Sequence, residues 1–316
     1  MKDRITVIGH YGMSLLMDVK KFPAVGETVE GLHVETEPGG KGYNQAIAAS
    51  RLGADVHFIT AAGGDDFGKR CEEDLISEKV NGRHIIHFPE LMTAVAFVIN
   101  TQQGESEVYV YPGAIRSVTA EHIRTYSDVI RESSLLLIQN EINTEALCEA
   151  VRIGREAGIR IIYNPAPARD VPKELFSMVD VITPNETEAA ILAGLDPDKP
   201  FDVVEVLHKL EASGTPDIII TCGEKGSYIS HEGRIFHIPP YRGVVVSTTG
   251  AGDCYNAALA VRYIRTGDLL EAARYASVSA GLQVQRPGVI ANLPVLSEVD
   301  EAFGNWTEKA IEVTDQ

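Results

Sequence analysis

The chain is poor in cysteine. Cys71, Cys148, Cys222 and Cys254 are the only four in 316 residues, far apart and without a C-x-x-C pair. That spacing offers neither a disulfide framework nor a structural zinc site and fits a reduced, intracellular protein. Positive charge is scarce too. Lys and Arg number 28 against 45 Asp and Glu, for a net charge of −17, and no basic cluster occurs. Nucleic acid and anionic membrane surfaces are therefore not the expected partners, since both are held by clustered cations. No apolar run is long enough to span a membrane, and MKDRITVIGHYG holds too short a run for a signal peptide. A cytoplasmic location is expected. Neither G-x-x-x-x-G-K-[ST] nor G-x-G-x-x-G is present, so two common nucleotide-binding loops are also missing.

What is present is an ordinary globular composition, 44% apolar and 23% charged, arranged in alternation. Short β-rich runs (Ile5–Ile8, Val56–Thr60, Leu135–Ile138, Ile159–Tyr163, Val179–Ile182, Asp217–Thr221) predict strands. Helical patterns lie between and after them: Tyr43–Leu52, Lys69–Glu78, Thr144–Ala157, Glu186–Ala193, Asp202–Ala212, Ala251–Arg265 and Asp268–Val284. Gly53, Gly158 and Gly194 stand where helix C-caps belong. Strand and helix repeated in this way predict an α/β fold, a mostly parallel sheet covered by helices on both faces.

Two segments break the rhythm. Phe22–Glu37 is punctuated by Gly and Pro, and Thr93–Tyr111 reads as two alternating strands around TQQGE. They predict a small appended antiparallel sheet, a lid built from insertions at about 12–38 and 93–112. A further hairpin, Ser227–Ser230 with Arg234–Ile238 around HEG, follows the last core strand. No linker or repeat divides the chain, so residues 1–316 are expected to form one domain. Ligands of open α/β sheets sit beyond the carboxyl ends of the strands, where Asn164, Thr183–Asn185, Thr221–Gly223 and Asp253 all fall.

The stretch STTGAGDCYNAALA sets two glycines and one carboxylate at the start of an Ala-rich helical pattern. The first amides of a helix lack partners and lie at the positive end of its dipole, so glycines there admit an anion to the bare backbone. An Asp in such a loop repels what the loop attracts. It makes sense as a base that takes a proton from a group attacking a phosphate. A second loop has Gly39, Gly40 and Gly42 around Lys41, again before a helix, with Asn44 able to donate to and accept from sugar hydroxyls.

GGKGYNQAIAASRLGADVHFITAAGGDDFG and STTGAGD resemble the two signatures of the PfkB/ribokinase family of carbohydrate kinases, and NPAPAR, TPNETEA and FPAVGETVEG are similar to the same family. The resemblance runs in family order from about Val7 to Pro294. It implies a three-layer ribokinase-like sandwich with a β lid, and an enzyme that transfers phosphate from ATP with Mg²⁺. Asp253 would then be the catalytic base, and Gly250, Ala251 and Gly252 the anion hole. Asn185 and Glu188 fit the family's N-x-x-E motif, which handles phosphate and Mg²⁺, the latter possibly through water. Thr221, Gly223, Gly226, Thr249 and Ser277 would lie along the nucleotide, and Gly40, Lys41, Asn44 and Glu141 would face the sugar. Taken one by one, Asn185 could equally be an N-cap, Glu188 a solvated helix carboxylate and Glu141 a loop charge.

Two departures bear on the substrate. Gly12 and Ser14 stand in the sugar site where relatives place an Asn and an Asp that grip hydroxyls. Ser247 stands where the family carries the Asp that helps bind a monovalent cation, a site that would also involve Asn292. The expected activity is phosphorylation of a primary hydroxyl on a sugar or sugar derivative, ribose being a doubtful acceptor. A nucleoside kinase using space opened at Gly12, or a non-catalytic sugar-binding regulator, is the alternative. Val95, Phe97, Tyr109 and Tyr111 would either line the lid's inner face or pair two lids in a homodimer.

Overall fold

The computed structural model describes residues 3–103 and 105–313. Gly104, within the expected TQQGE turn, lies outside the described residues, as do both ends of the chain.

Ten strands form the main sheet: β1 (Arg4–Ile8), β4 (Asp55–Gly63), β5 (Asn81–Phe88), β8 (Leu135–Gln139), β9 (Arg160–Asn164), β10 (Val181–Ile182), β11 (Asp217–Thr221), β12 (Ser227–His231), β13 (Arg234–Ile238) and β14 (Ile311–Val313). Across the sheet the order is β14-β13-β12-β11-β10-β9-β8-β1-β4-β5. All pairings from β11 to β5 are parallel, and β12, β13 and β14 add antiparallel at one edge. From β1 the chain builds outward through β4 and β5, then returns to the other side of β1 and builds through β8 to β11. The order thus reverses between β1 and β8, which opens a crevice at their carboxyl ends.

The sequence LLLIQ of β8 is wholly buried because helices cover both faces. Leu135 and Leu137 pack into one core with the helices Lys41–Arg51, Ala251–Thr266 and Leu269–Gln283. Leu136 and Ile138 point the other way, into a core with Thr144–Ala157 and Val203–Glu211. Each fully buried aliphatic side chain of this kind contributes ~1.5–3 kcal/mol. Three layers follow directly from a strand that is apolar at every position.

The predicted core strands are all present, although β4 runs on to Gly63 and β10 is confined to Val181–Ile182. The reading missed β5, whose NGRHIIHF carries two histidines and an arginine, and β14. Both lie at sheet edges, paired on one side only, so neither needs an uninterrupted apolar run.

The second sheet is the lid: β2 (Gly12–Val19), β3 (Gly31–Gly39), β6 (Ala94–Thr101) and β7 (Ser106–Tyr111), in the order β3-β2-β6-β7. Its outer pairings, β2–β3 and β6–β7, are antiparallel, and the central β2–β6 pairing is parallel. Register sets Gly12 opposite both Gly39 and Ala94, and Ser14 opposite Glu37 and Ala96. Alternation places Val95, Phe97, Tyr109 and Tyr111 together on the opposite face, with Val95 paired to Tyr111 and Phe97 to Tyr109. Phe97, Tyr109 and Tyr111 are exposed there.

Candidate active site

The loop before the helix Ala251–Thr266 turns through Gly250, the N-cap, whose φ of 80° favours glycine. The Ala251 amide is already used, donating to the Thr248 carbonyl at 3.2 Å. The amides of Gly252 and Asp253 find no such carbonyl, and a side chain at Gly252 would meet nothing within 4 Å. Among the described residues no protein group takes the N–H of Gly250, Gly252 or Asp253, so these three amides are open to a ligand. This corrects the expectation for Ala251, whose N–H closes the turn that shapes the loop.

Asp253 points into the protein and is only 7% exposed. Asn44 Nδ2 donates to its Oδ2 at 2.8 Å, and Gln45 Nε2 donates to its Oδ1 at 3.0 Å. Gln45 Nε2 also reaches Asn164 Oδ1 at 3.1 Å, while Gln45 Oε1 accepts from Gln139 Nε2 at 2.7 Å. Asn164 Nδ2 donates to the Thr183 carbonyl at 2.9 Å, Thr183 Oγ1 to Asn256 Oδ1 at 2.6 Å, and Asn256 Nδ2 to the Gly252 carbonyl at 2.9 Å. The chain of bonds joins the ends of β8 and β9 and the strand-end Thr183 to both glycine loops. It fixes the orientation of one carboxylate.

Three carboxylates, Asp253, Glu141 and Glu188, surround one ammonium, Lys41. Burial raises the Asp253 carboxyl above the ordinary aspartate value, against the pull of Lys41. Lys41 is pushed up in turn, first by Asp253 and despite its own burial, with Glu141 and Glu188 adding to the effect. Glu141 accepts the Lys41 backbone N–H at 2.7 Å. Burial alone would raise it, but His10 and Lys41 outweigh burial and hold it below the usual value.

Asn185 and Glu188 form a reciprocal cap on the helix Glu186–Leu192. Asn185 Oδ1 accepts the Glu188 amide at 2.8 Å, and Glu188 Oε2 accepts the Asn185 amide at 2.9 Å. The N-cap reading of Asn185 is therefore right as far as it goes. Both residues also line the same cavity as Asp253, so capping aims them rather than consuming them. Burial raises the Glu188 carboxyl, with nearby Asp253 adding to it and Lys41 opposing. A carboxylate with one oxygen on a backbone amide and the other unclaimed suits a hard divalent cation or its water shell.

That cavity, of about 190 Å³, is lined by Lys41, Asn164, Ala166, Thr183, Asn185, Glu188, Thr221, Thr248, Gly250, Gly252, Asp253 and Asn256. A roomier, open hollow of about 540 Å³ beside Asp268, Arg274 and Phe303 gathers no strand end and no amide-rich loop, so the smaller one is the candidate site. Of the remaining expected nucleotide residues, Thr221 is in the lining, and Gly223 is open to solvent. Gly226 is a hairpin glycine, since a Cβ there would lie 2.1 Å from the Ile238 carbonyl oxygen. Ser277 donates to the Pro239 carbonyl at 2.9 Å, and Thr249 is exposed while its neighbour Thr248 lines the cavity. Ser247 Oγ accepts the Thr249 amide at 3.4 Å, and Asn292 is half-buried beside Gly288.

Gly12 behaves unlike the expectation. A Cβ there would lie 2.7 Å from the Ala94 carbonyl oxygen and 2.9 Å from both Ala94 Cβ and His10 Nε2. Its glycine opens no space for a larger ligand, because His10 and Ala94 already fill it. Ser14 is half-buried on the lid face it shares with Gly12.

Comparison with known proteins supplies the rest. The description "pfkB family carbohydrate kinase" matches residues 2–296. The chain belongs to the PfkB family. Among its relatives, ribokinase of Staphylococcus aureus is 32% identical over 95% of this chain and 100% of that one. Deoxyribokinase of Salmonella typhi is 30% identical over 94% of this chain and 97% of its own length. The structure of Arabidopsis thaliana ribokinase complexed with ribose and ATP covers 97% of this chain and 100% of its own, at 25% identity and a TM-score of 0.88. Like other PfkB carbohydrate kinases, this protein is a phosphotransferase with an alcohol group as acceptor. No helix among the described residues is long and apolar enough to cross a membrane.

Four residues of this PfkB site escaped the sequence reading: His10, Gln45, Gln139 and Asn256. Gln45 lies one turn after Lys41, and Asn256 one turn after Asp253, so helix periodicity alone carried a signal for those two. His10 and Gln139 carried none.

Proposed function

We propose that this PfkB protein is an ATP-dependent kinase that phosphorylates a primary hydroxyl of a sugar or sugar derivative, with D-ribose a poor acceptor. The observation that carries this reading is the Asp253 carboxylate, held by Asn44 and Gln45 beside the open amides of Gly252 and Asp253. Asp253 takes the proton of the acceptor hydroxyl, and the two amides receive charge developing on the transferred phosphoryl group. Lys41 steadies the negative charge from the sugar side, and lid closure excludes water. Thr221, Thr248, Asn185 and Glu188 line the cavity; the first three would lie along the nucleotide, and Glu188 would hold Mg²⁺ directly or through water. The charge neutralisation that Mg²⁺ would supply to the phosphate would be placed there by Glu188 beside Asn185.

Ribose is disfavoured because Gly12 and Ser14 offer no amide and no carboxylate to its hydroxyls. Losing one charge-assisted and one neutral hydrogen bond costs ~2–4 kcal/mol, roughly 30- to 1,000-fold in kcat/KM. The serine at 247 removes a charged ligand from the monovalent-cation position, so varying K⁺ at constant ionic strength should change the rate little; strong activation by K⁺ would refute this.

A panel of sugars, deoxysugars, sugar derivatives and nucleosides, offered with ATP and Mg²⁺ and read by ADP release, tests the activity. Turnover of a sugar-like acceptor is expected. Selective turnover of nucleosides would favour the nucleoside kinase reading, and no turnover of any member would favour a sugar-binding regulator.

The lid supports a homodimer. Its face away from Gly12 presents Val34, Phe97, Tyr109 and Tyr111, an exposed apolar sheet surface of the kind that pairs between protomers. Sedimentation of Phe97→Asp beside the native chain decides this: a native monomer at micromolar concentration excludes it.

A further inference from the structure

His10 lies at the reversal point of the sheet, in the loop after β1, and Glu141 lies in the facing loop after β8. The imidazole is 7% exposed. Its Nδ1 faces Glu141 Oε2 at 3.4 Å, while its Nε2 is buried without a hydrogen-bond partner among the described residues. A core histidine with nothing to do is normally satisfied at both nitrogens, because leaving a buried polar atom unpaired costs ~1–3 kcal/mol.

The surroundings of the ring are equally unusual. A Cβ at Gly12 would lie 2.9 Å from Nε2, and a Cβ at Gly40 would lie 3.1 Å from Cγ. Ala94, directly opposite Gly12, supplies only a methyl group and backbone. Two glycines and an alanine thus surround an unpaired nitrogen, so no side chain of the lid competes for it. Asn44 Oδ1, on the helix that starts after Gly40, is a second buried acceptor without a partner.

We propose that His10 selects the acceptor substrate, its Nε2 accepting a hydrogen bond from a substrate hydroxyl remote from the one that is phosphorylated. The inference rests on the kinase reading given above and names how that site recognises its sugar. Glu141 draws the imidazole proton to Nδ1, which leaves the lone pair on Nε2. Glu141 is itself held by the Lys41 amide, so the tautomer is set by the same loop that positions Lys41. An acceptor at Nε2 calls for an O–H donor and gives nothing to a ligand that lacks one. The substrate class is therefore a polyhydroxylated molecule with one hydroxyl at Asp253 and another reaching the gap between β1 and the lid. Gly12 and Ala94 close Nε2 off in this structure, so the hydroxyl reaches it only if the strand Gly12–Val19 shifts away.

The test compares native protein, His10→Ala and His10→Gln on the best acceptor of the sugar panel and on analogues each lacking one hydroxyl. Thermal shift with each sugar, without ATP, is measured in parallel. Native protein should discriminate against one particular deoxy analogue. His10→Ala should raise KM for the parent acceptor about 3- to 10-fold, the worth of one hydrogen bond, and shrink that discrimination toward unity. KM for ATP should stay unchanged, and His10→Gln, which keeps an acceptor oxygen, should restore part of the preference. Unaltered discrimination in a folded His10→Ala protein overturns the inference and leaves the kinase reading intact. If the native protein neither turns over nor is stabilised by any sugar, both fall together.

Discussion

Gln45 Nε2 sits 3.0 Å from Asp253 Oδ1, although 208 positions separate the two residues. One amide group therefore couples the glycine loop around Lys41 to the glycine loop around Asp253. Neither loop alone is a site; the bond between them makes one.

Asp253→Asn should lower kcat by ~10²–10⁴ while leaving KM for ATP nearly unchanged, the usual worth of a general base. Because burial raises the native carboxyl, the acid limb of the native kcat profile should fall at a pH above the ordinary aspartate value. Steady-state rates across pH on the acceptor found by the panel check both points. Near-native turnover by the variant would remove Asp253 from the role of base.

The same substitution should stabilise the fold at neutral pH. With its folded-state value raised, Asp253 binds its proton more tightly in the native protein than in the unfolded chain. Native stability thus declines as pH climbs from the ordinary aspartate value through the raised one. The attraction of Lys41 is already part of that balance. Asp253→Asn should melt above the native protein at pH 7, and the gap should close as pH falls toward the ordinary aspartate value. A lower melting temperature for the variant throughout would contradict this.

Gln45→Met keeps the length and volume of the side chain but removes every bond it makes to Asp253, Asn164 and Gln139. Leaving buried partners unpaired should cost ~1–3 kcal/mol of stability. It should also lower kcat more than it raises either KM, because the base loses its orientation. Denaturant melts and initial rates decide; a change in stability with unaltered kcat would reduce Gln45 to a core residue.

Glu188→Gln retains the reciprocal cap in shape but loses the charge. The Mg²⁺ concentration needed for half-maximal rate should rise, and acceptor binding should weaken less than catalysis. Coincident Mg²⁺ titrations for the two proteins would exclude Glu188 from the metal.

Gly12→Asn supplies the side-chain amide that Gly12 lacks, yet the structure leaves it no room beside Ala94 and His10. Alone it should destabilise by ~1–3 kcal/mol through overpacking and give no gain on ribose. Combined with His10→Ser and Ser14→Asp, it should recover stability and improve kcat/KM on ribose. A gain from Gly12→Asn by itself would show that the lid yields at this point.

Much of this protein was legible as text because the signals are local. Short unbroken apolar runs gave β1, β4, β8, β9 and β11, which are buried on both faces and so tolerate few polar residues. Glycines beside a lone Asp and a lone Lys marked both halves of the site, since only backbone free of side chains can approach an anion. Tertiary structure decided what depends on partners distant in sequence. Whether Gly12 is a vacancy or a close contact turned on His10 and Ala94, and which face of the lid carries Phe97 and Tyr109 turned on the register of four strands. Which amides remain open at the helix start turned on whether Thr248 takes one of them, a matter of loop geometry. The pairing of Gln45 with Asp253 lay beyond the sequence for the same reason: a hydrogen bond depends on distance and direction in space, and the order of residues along the chain encodes neither for groups so far apart.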